Sequence, residues 1–200
     1  MALTARDKGG GDFVLIPEDL HLAVCYGIWD IGTQFSERYG KSVHKVVIVW
    51  EIPGCRGEFE KDGKIQNLPR AISKRYRISL HKKADLRKDL ESWRGQKFTD
   101  EELKGFDLKR LLGVPCQIQV LHNKVDEKVY TNISAIIKAP KGTKLIAENP
   151  LKFFSFEDEG AIPKGTPEWI MDLIRQSEEF KKTGTHEGEE HDLPDDDIPF

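Results

Sequence analysis

The segment from Arg70 to Lys97 is the most basic stretch of the chain, with ten lysines and arginines against three acids. Such side chains bind phosphates, because each cation that contacts a nucleic-acid backbone releases condensed counterions. Arg75 and Arg77 fall on the polar face of a predicted strand, so we favour phosphate contact for both. For Lys82 and Lys83 an ordinary solvated face is the competing interpretation. The segment predicts a surface for a polyanion.

Aromatic side chains near these cations could stack on unpaired bases, at about 1–3 kcal/mol per base. Core packing is the competing interpretation. For Trp29 and Tyr130 the two are balanced, and for Trp50 and Tyr76 core packing is the stronger. The full set of candidate residues for a bound single strand is Trp29, Phe35, Arg38, Tyr39, Lys41, Lys45, Trp50, Lys74, Arg75, Tyr76, Arg77, Lys82, Lys83 and Tyr130.

Motifs for catalysis are missing from the sequence. It contains no Walker loop, no nucleophile elbow and no HExxH motif. A nuclease would need clustered carboxylates to hold Mg²⁺, and the strand acids Asp30 and Glu51 have no evident partner. The three cysteines are widely spaced, which argues against zinc and suits reduced thiols. We therefore expect no enzyme activity, no metal and no cofactor, with a nuclease as the enzymatic alternative.

The last six residues combine acids with a bulky apolar end. They are Asp195, Asp196, Asp197, Ile198, Pro199 and Phe200. A solubilising tail would explain the acids but not the apolar residues. A docking peptide explains both, because a buried phenylalanine contributes roughly 1.5–3 kcal/mol, a terminal carboxylate pairs with Arg or Lys, and proline lowers the cost of ordering. The ending therefore predicts a protein-docking tip.

Five segments alternate in polarity or are rich in β-branched residues, and we predict them as strands. They cover 21–31, 43–52, 70–80, 114–122 and 128–138. Between the third and fourth, a helical period ends at Gly95, and residues 99–102 are typical of a capping box. A further helix is predicted over 167–182. We interpret Trp93 and Trp169 as residues that pack helices.

Alternation also assigns strand faces. Trp29 lies on a mixed face of the first strand, where Gly27 is a site for a bulge. Pro53 is expected to end the second strand, and residues 54–69, which contain the turn dipeptide Asp62-Gly63, are predicted as a hairpin or a long loop. Residues 32–42 are predicted as a loop, which carries four of the candidates: Phe35, Arg38, Tyr39 and Lys41.

The predicted order is strand, strand, strand, helix, strand, strand. This is the order of the oligonucleotide-binding barrel (OB-fold), a five-stranded, partly open Greek-key barrel that binds oligonucleotides on strands two and three and adjoining loops. We expect a mainly β fold of this kind with added helices, including a C-terminal helix. An SH3-like barrel is the alternative, and the helix between strands three and four favours the first.

Charge divides the chain into a basic body and an acidic tail. Residues 1–155 carry a net charge of +7 and residues 156–200 a net charge of −10. We predict a flexible arm (1–12), a binding domain (13–155), a linker and helix (156–182) and a disordered acidic tail (183–200). No stretch is apolar enough for a membrane span, and the first residues lack the apolar region of a secretory signal. We therefore expect a cytoplasmic protein with no membrane partner.

Residues 195–200 resemble the C-terminal tip of bacterial single-stranded DNA-binding proteins. In that family a DNA-binding barrel is followed by a linker and an acidic tip ending in Asp-Asp-Ile-Pro-Phe, which docks on replication, repair and recombination enzymes. Residues 13–155 are similar to phage-encoded single-stranded DNA-binding proteins, in stretches at 43–51, 89–95, 98–102 and 105–108. A predicted helix replaces the usual Gln- or Gly-rich linker.

The resemblance implies a protein that binds and protects single-stranded DNA without sequence specificity in replication, recombination or repair. Its tip would recruit host DNA-processing enzymes, in the host cytoplasm if a phage encodes it. Two alternatives keep the tip: a decoy that captures host repair enzymes without binding DNA, and a strand-annealing protein that forms rings. The basic segment argues against the decoy. A monomer and a homo-oligomer both stay open.

Overall fold

The computed structural model describes residues 15–37, 40–61, 63–158 and 161–184. Within them the chain forms a mainly β fold with short helices. The strands are β1 (Leu20–Ser36), β2 (Lys41–Lys61), β3 (Lys64–Arg77), β4 (Pro115–Val125), β5 (Lys128–Lys138) and β6 (Lys152–Phe154). The helices are α1 (Asp85–Arg94), α2 (Asp100–Lys104), α3 (Glu168–Arg175) and α4 (Glu178–Gly184). The predicted N-terminal arm and the six residues of the docking tip lie outside the described residues.

β1 is the central strand of an antiparallel sheet with the order β3-β2-β1-β4-β5. It pairs with β2 from Val24 to Ser36 and with β4 from Leu20 to Val24. β3 and β5 are therefore the two edges of this order. The five predicted strands are confirmed. β6, which runs parallel to β1, is too short to show alternation and is not predicted.

β2 separates two apolar layers by strict alternation. Val46, Ile48 and Trp50 belong to an inner core, and Val47 and Val49 to an outer layer on the opposite face. β-branched side chains suit such a strand, because they pack well on a pleated surface. The alternation predicted for the segment 43–52 is confirmed.

A bulge in β1 exchanges its two faces, at the glycine where the sequence indicates one. The register to β2 shifts between Cys25 and Gly27. A Cβ on Gly27 would lie 2.2 Å from the ring of Trp29, so glycine leaves the room that this ring needs. Cys25 and Ile28 both join the inner core, while Trp29 joins the outer layer. The simple alternation predicted for β1 is therefore wrong beyond Gly27.

β1 and β2 extend well beyond their predicted ends, whereas the third strand ends at Arg77, three residues before its predicted end. β1 and β2 pair as far as Ser36 and Lys41, so most of the predicted loop over 32–42 is strand. β2 also continues past Pro53, because the register to β3 shifts after Ile52 and leaves the proline outside the ladder, where its missing N–H costs nothing.

Local turn and capping signals are confirmed. Of the two alternatives for 54–69, β2 and β3 form the hairpin, with Gly63 at a positive φ of 72° in its turn. Gly95 ends α1 at a positive φ of 68°. The Thr99 hydroxyl accepts from the Glu102 N–H, and the Glu102 carboxylate accepts from the Thr99 N–H at 2.9 Å. Positive φ favours glycine, since it has no Cβ to clash.

α1 packs against the inner face of the sheet and covers the inner core. Leu86, Leu90 and Trp93 are buried on its apolar side. The rings of Trp93 and Trp50 lie 5.6 Å apart. The helix thus packs where the periodicity predicts.

α3 and α4 cover the outer face of the sheet. Ile170 and Ile174 are buried against Trp29 and Val47 in the outer layer. The predicted single helix is interrupted at Ser177, whose hydroxyl donates to the Ile174 carbonyl at 2.7 Å and accepts from the Phe180 N–H at 3.1 Å. No helix among the described residues has both the length and the apolar character that crossing a membrane requires.

Candidate nucleic-acid surface

The outer face of β3 carries an exposed row of cations. Arg75 and Arg77 are exposed, whereas Ile72 and Tyr76 are buried in the inner core. Lys45 on β2 lies directly opposite Arg77 and is half-buried. The faces predicted for this strand are confirmed, and three of the candidate cations lie together on one face.

A basic concavity of about 540 Å³ continues this row where β3 ends and α1 begins. Arg75, Arg77 and Lys83 line it, together with His81. Lys82 is exposed on the neighbouring turn but does not line the concavity. The positive potential of a concave site attracts anions more strongly than the same charges on a flat surface.

Part of the basic segment is neutralised by ion pairs. Arg87 lies 2.9 Å from Glu91, and Lys88 lies 3.3 Å from Asp85. The number of cations in this segment therefore overstates the positive charge available to a ligand. The available charge lies on the outer face of β3 and in the turn that follows it.

Lys74 and Tyr76 also line the concavity, but Asp89 engages their polar atoms. Lys74 Nζ lies 2.6 Å from Asp89 Oδ2, and the Tyr76 hydroxyl donates to the same oxygen at 2.7 Å. Burial, with the neighbouring Asp89 carboxylate, raises the pKa of Tyr76. These two candidates belong to a buried polar cluster that ties β3 to α1.

Trp29 and Trp50 are both fully buried, so neither offers a ring to a base. The bulge at Gly27 turns Trp29 to the outer layer, where its indole N–H donates to Thr166 at 3.0 Å. The Trp50 ring packs against Trp93 in the inner core, with the two ring planes tilted by 57°. Both are core residues. Core packing is the interpretation that the sequence favours for Trp50, whereas for Trp29 it leaves core packing and base stacking balanced.

The candidates of the predicted loop are spread over strand ends. Phe35 is the second-to-last residue of β1, with 63% of its surface exposed, and Lys41 is the exposed first residue of β2. Both lie beyond the end of β3, past Lys45 and Arg77. Arg38 and Tyr39 lie outside the described residues.

A groove of about 960 Å³ lies at the other end of β3, between this edge strand and β5. Tyr130, a candidate, lines it with 51% of its surface exposed. The Thr131 hydroxyl, which also lines the groove, is buried and has no hydrogen-bond partner among the described residues. The remaining apolar and basic lining includes Leu15, Ile16, Tyr26, Phe59, Leu68, Pro69, Arg70, Val129 and Pro167.

Phe59 and Tyr26 are aromatic groove residues that the sequence did not reveal. Phe59 follows Pro53, where we expected the strand to have ended, and Tyr26 sits at the bulge. Phe59 is 40% exposed. Burial raises the pKa of Tyr26 to about 12, helped by the nearby Glu51 and Cys25. Tyr26 therefore stays a neutral hydroxyl at physiological pH.

β3 connects the groove to the basic concavity. The groove ends at Ser73 and the concavity begins at Lys74, so one strand runs along both. Arg70 to Arg77 span roughly 23 Å at the rise of a β-strand. A flexible polyanion with aromatic side groups could lie along this path, with rings at one end and cations at the other.

The buried carboxylates serve as structural acceptors. Glu51 accepts from the Glu148 N–H at 2.5 Å and the Asn149 N–H at 3.0 Å. Asp30 accepts from the Gly32 N–H at 2.8 Å, with His44 Nε2 at 2.7 Å. Within the described ranges, no group of three or more His, Cys, Asp or Glu side chains is gathered that could hold a metal ion.

Comparison with known proteins adds no relative. No protein-family model, no curated protein and no solved structure matches the chain.

Proposed function

We propose that the protein binds single-stranded DNA without reading its sequence, along the outer face and free edge of β3. The observation that carries the proposal is the continuity of a cationic row and an aromatic groove on this one strand. Proteins that bind single strands nonspecifically combine these two elements, cations for the backbone and rings for the bases.

We also propose that the fold is an oligonucleotide-binding barrel. In support, β1 lies between β2 and β4, and a helix packs beneath the sheet between β3 and β4 in the chain. The groove then lies at the open seam between the edges β3 and β5. In barrels of this class the second and third strands and the adjoining loops hold oligonucleotides.

The aromatic groove favours a single strand over a duplex. Phe59 and Tyr130 present rings at a concave site, and a ring can stack only on a base that has left its own stack. The paired bases of a duplex are already stacked on both sides. A duplex would therefore make only the phosphate contacts, which are available to single-stranded and duplex DNA alike.

The docking tip supplies the second half of the proposed function. Residues 195–200 lie outside the described residues, so the support is their resemblance to the acidic tips of bacterial single-stranded DNA-binding proteins. The tip would recruit replication, repair and recombination enzymes to covered DNA. This function carries a cytoplasmic location with it, in the host if a phage encodes the protein.

Fluorescence anisotropy tests the binding proposal directly. Labelled oligodeoxythymidylate and a hairpin duplex of equal phosphate number are titrated with the full chain at several salt concentrations. We expect tighter binding of the single strand. With about three to five phosphate contacts, log K should fall against log salt with a slope near −2 to −3.5. Equal affinity for both forms, or binding that ignores salt, would remove the proposal.

A further inference from the structure

Trp169 is the tryptophan that presents its ring to solvent. The sequence has four tryptophans, and all lie among the described residues. Trp29, Trp50 and Trp93 are buried, whereas Trp169 is 40% exposed. On the same helix Ile170 and Ile174 are fully buried, so α3 is anchored without the indole. Core packing therefore does not account for a large aromatic side chain at this position.

The indole lies beside the proposed DNA path. The Arg75 guanidinium lies over one face of the Trp169 ring, with its carbon 5.7 Å from the ring centre, so a base would stack on the remaining exposed part of the indole. Gly165 and Pro167, just before α3, line the aromatic groove. Trp169 thus stands between the groove and the cationic row, on the side of β3 that α3 covers.

The helix that carries the ring is anchored on the sheet. Ile170 and Ile174 pack on Trp29 and Val47 in the outer layer. A platform fixed before binding loses little conformational entropy when a base stacks on it. The two acids of α3 are partly compensated, since Arg175 Nη1 lies 2.6 Å from Glu168 and 3.1 Å from Asp172.

We propose that Trp169 is a base-stacking residue of the single-stranded DNA surface, and that α3 forms one wall of that surface. The exposed part of the indole takes an unstacked base, and Arg75 beside it contacts a phosphate of the same strand. This inference rests on the proposed function and extends the surface beyond the barrel strands, onto a helix that the sequence suggests is a linker.

Intrinsic fluorescence provides a selective test, because the other tryptophans are shielded by burial. Oligodeoxythymidylate should quench the wild-type emission on binding. Trp169→Phe keeps a ring, so it should retain affinity within a few-fold while losing most of the quenching. Trp169→Ala should weaken binding by about 5- to 150-fold. The slope of log K against log salt should stay unchanged in both variants, because stacking is not ionic.

Leu173→Ala is the matched control on the same helix. Leu173 packs against the outer layer beside the fully buried Ile170 and Ile174, so its truncation removes some apolar packing while these anchors and the indole remain. It should bind DNA with near wild-type affinity and full quenching. Circular dichroism of each variant verifies folding.

The outcomes separate this inference from the proposed function. If the wild-type chain does not bind the oligonucleotide, the proposed function fails. If it binds, and Trp169→Phe retains the quenching or Trp169→Ala retains the affinity, the role of Trp169 is overturned while DNA binding stands. An equal loss in Leu173→Ala and Trp169→Ala would also overturn it, because helix packing would then explain both.

Discussion

The indole N–H of Trp29 donates a 3.0 Å hydrogen bond to the hydroxyl of Thr166, 137 residues later in the chain. The same hydroxyl donates to the Pro163 carbonyl at 2.7 Å. Thr166 therefore links the central strand of the sheet to the segment that begins α3. Because α3 carries Trp169, this contact fixes one wall of the proposed DNA surface.

Thr166→Val tests that link, since valine preserves the shape but removes the acceptor. A buried donor left without a partner costs about 1–3 kcal/mol. We expect the free energy of unfolding in urea to fall by this amount. Thr143→Val is the control, because the Thr143 hydroxyl bonds only within an exposed turn. Its loss should be below about 0.5 kcal/mol, and equal losses in the two variants would contradict the role of the link.

Arg75→Gln combined with Arg77→Gln tests the cationic row. Each lost phosphate contact on a single strand should reduce the salt slope by about 0.7, so the pair should reduce it by about 1.4. Affinity should fall for all sequences alike. Anisotropy titrations at four salt concentrations measure both quantities.

The control for the arginine pair is Lys97→Gln combined with Lys144→Gln. These two lysines are exposed and line neither the groove nor the basic concavity. The net charge changes equally in the two double variants. If the control flattens the salt slope as much as the arginine pair does, the binding depends on overall charge and the surface assigned to β3 is wrong.

Periodicity in the sequence predicts the buried and exposed faces of an element correctly where one pattern runs without interruption. β2 alternates from Val46 to Ile52, and α1 repeats its apolar residues up to Gly95. The faces of both elements follow directly from the sequence, because side-chain direction has a fixed period in each. The exposed positions of Arg75 and Arg77 follow for the same reason.

The sequence-based predictions fail where a β-bulge or a segment distant in the chain determines which face of the sheet a side chain occupies. The glycine at position 27 indicates a bulge, but the local sequence does not show which side chains change face. In the structure the bulge places Trp29 in the outer layer. The covering of that layer by Ile170 depends on a contact across most of the chain. No local pattern reports such a contact, so the exposure of Trp169 could not be predicted.

Tyr130→Ala tests the aromatic groove. If Tyr130 stacks on a base, its loss should weaken single-strand binding by about 1–3 kcal/mol and leave the salt slope unchanged. Tyr130→Phe keeps the ring and should bind within a few-fold of wild type. A parallel loss in the phenylalanine variant would instead indicate that the hydroxyl makes the contact.

Glu179 on α4 gives a pH-dependent contact with β1. Its carboxylate accepts from the Thr33 N–H and the Thr33 hydroxyl, both at 2.6 Å. Partial burial acts to raise the pKa of Glu179, but the hydrogen bonds from Thr33 outweigh it and hold the pKa below its ordinary value, with a smaller contribution from His44. A lowered pKa stabilises the folded contact above the unfolded value of about 4.3, and this stabilisation is lost as pH falls through the folded pKa.

The amide NMR shift of Thr33 follows this titration. In the wild type its midpoint should lie below about 4.3. Thr33→Val retains the backbone donor but loses the hydroxyl, so the midpoint should rise. A wild-type midpoint at or above about 4.3 would contradict the assignment.

Removal of residues 195–200 tests whether the tip and the barrel have separate tasks. Docking to a tip-binding repair enzyme should be lost, while affinity for single-stranded DNA should be kept or modestly raised. The reason is the charge division of the chain: residues 183–200, which carry seven acids and no lysine or arginine, are tethered to a basic body and stay at high local concentration near the cations that bind phosphate. Removal of the tip's acids relieves that competition.

Deletion of Phe200 alone separates an apolar anchor from a simple charge. The acids remain, so DNA affinity should match that of the full chain. Docking should still be largely lost, because a buried phenylalanine contributes roughly 1.5–3 kcal/mol.

Asparagine at positions 195–197 is the converse variant: it keeps the anchor, lowers the on-rate for docking and makes that rate less sensitive to salt. Calorimetry against an oligonucleotide and against the enzyme measures each affinity, and stopped-flow mixing measures the on-rate. If the chain without Phe200 binds the enzyme as well as the intact chain does, the docking interpretation fails and the acids act only as a solubilising tail.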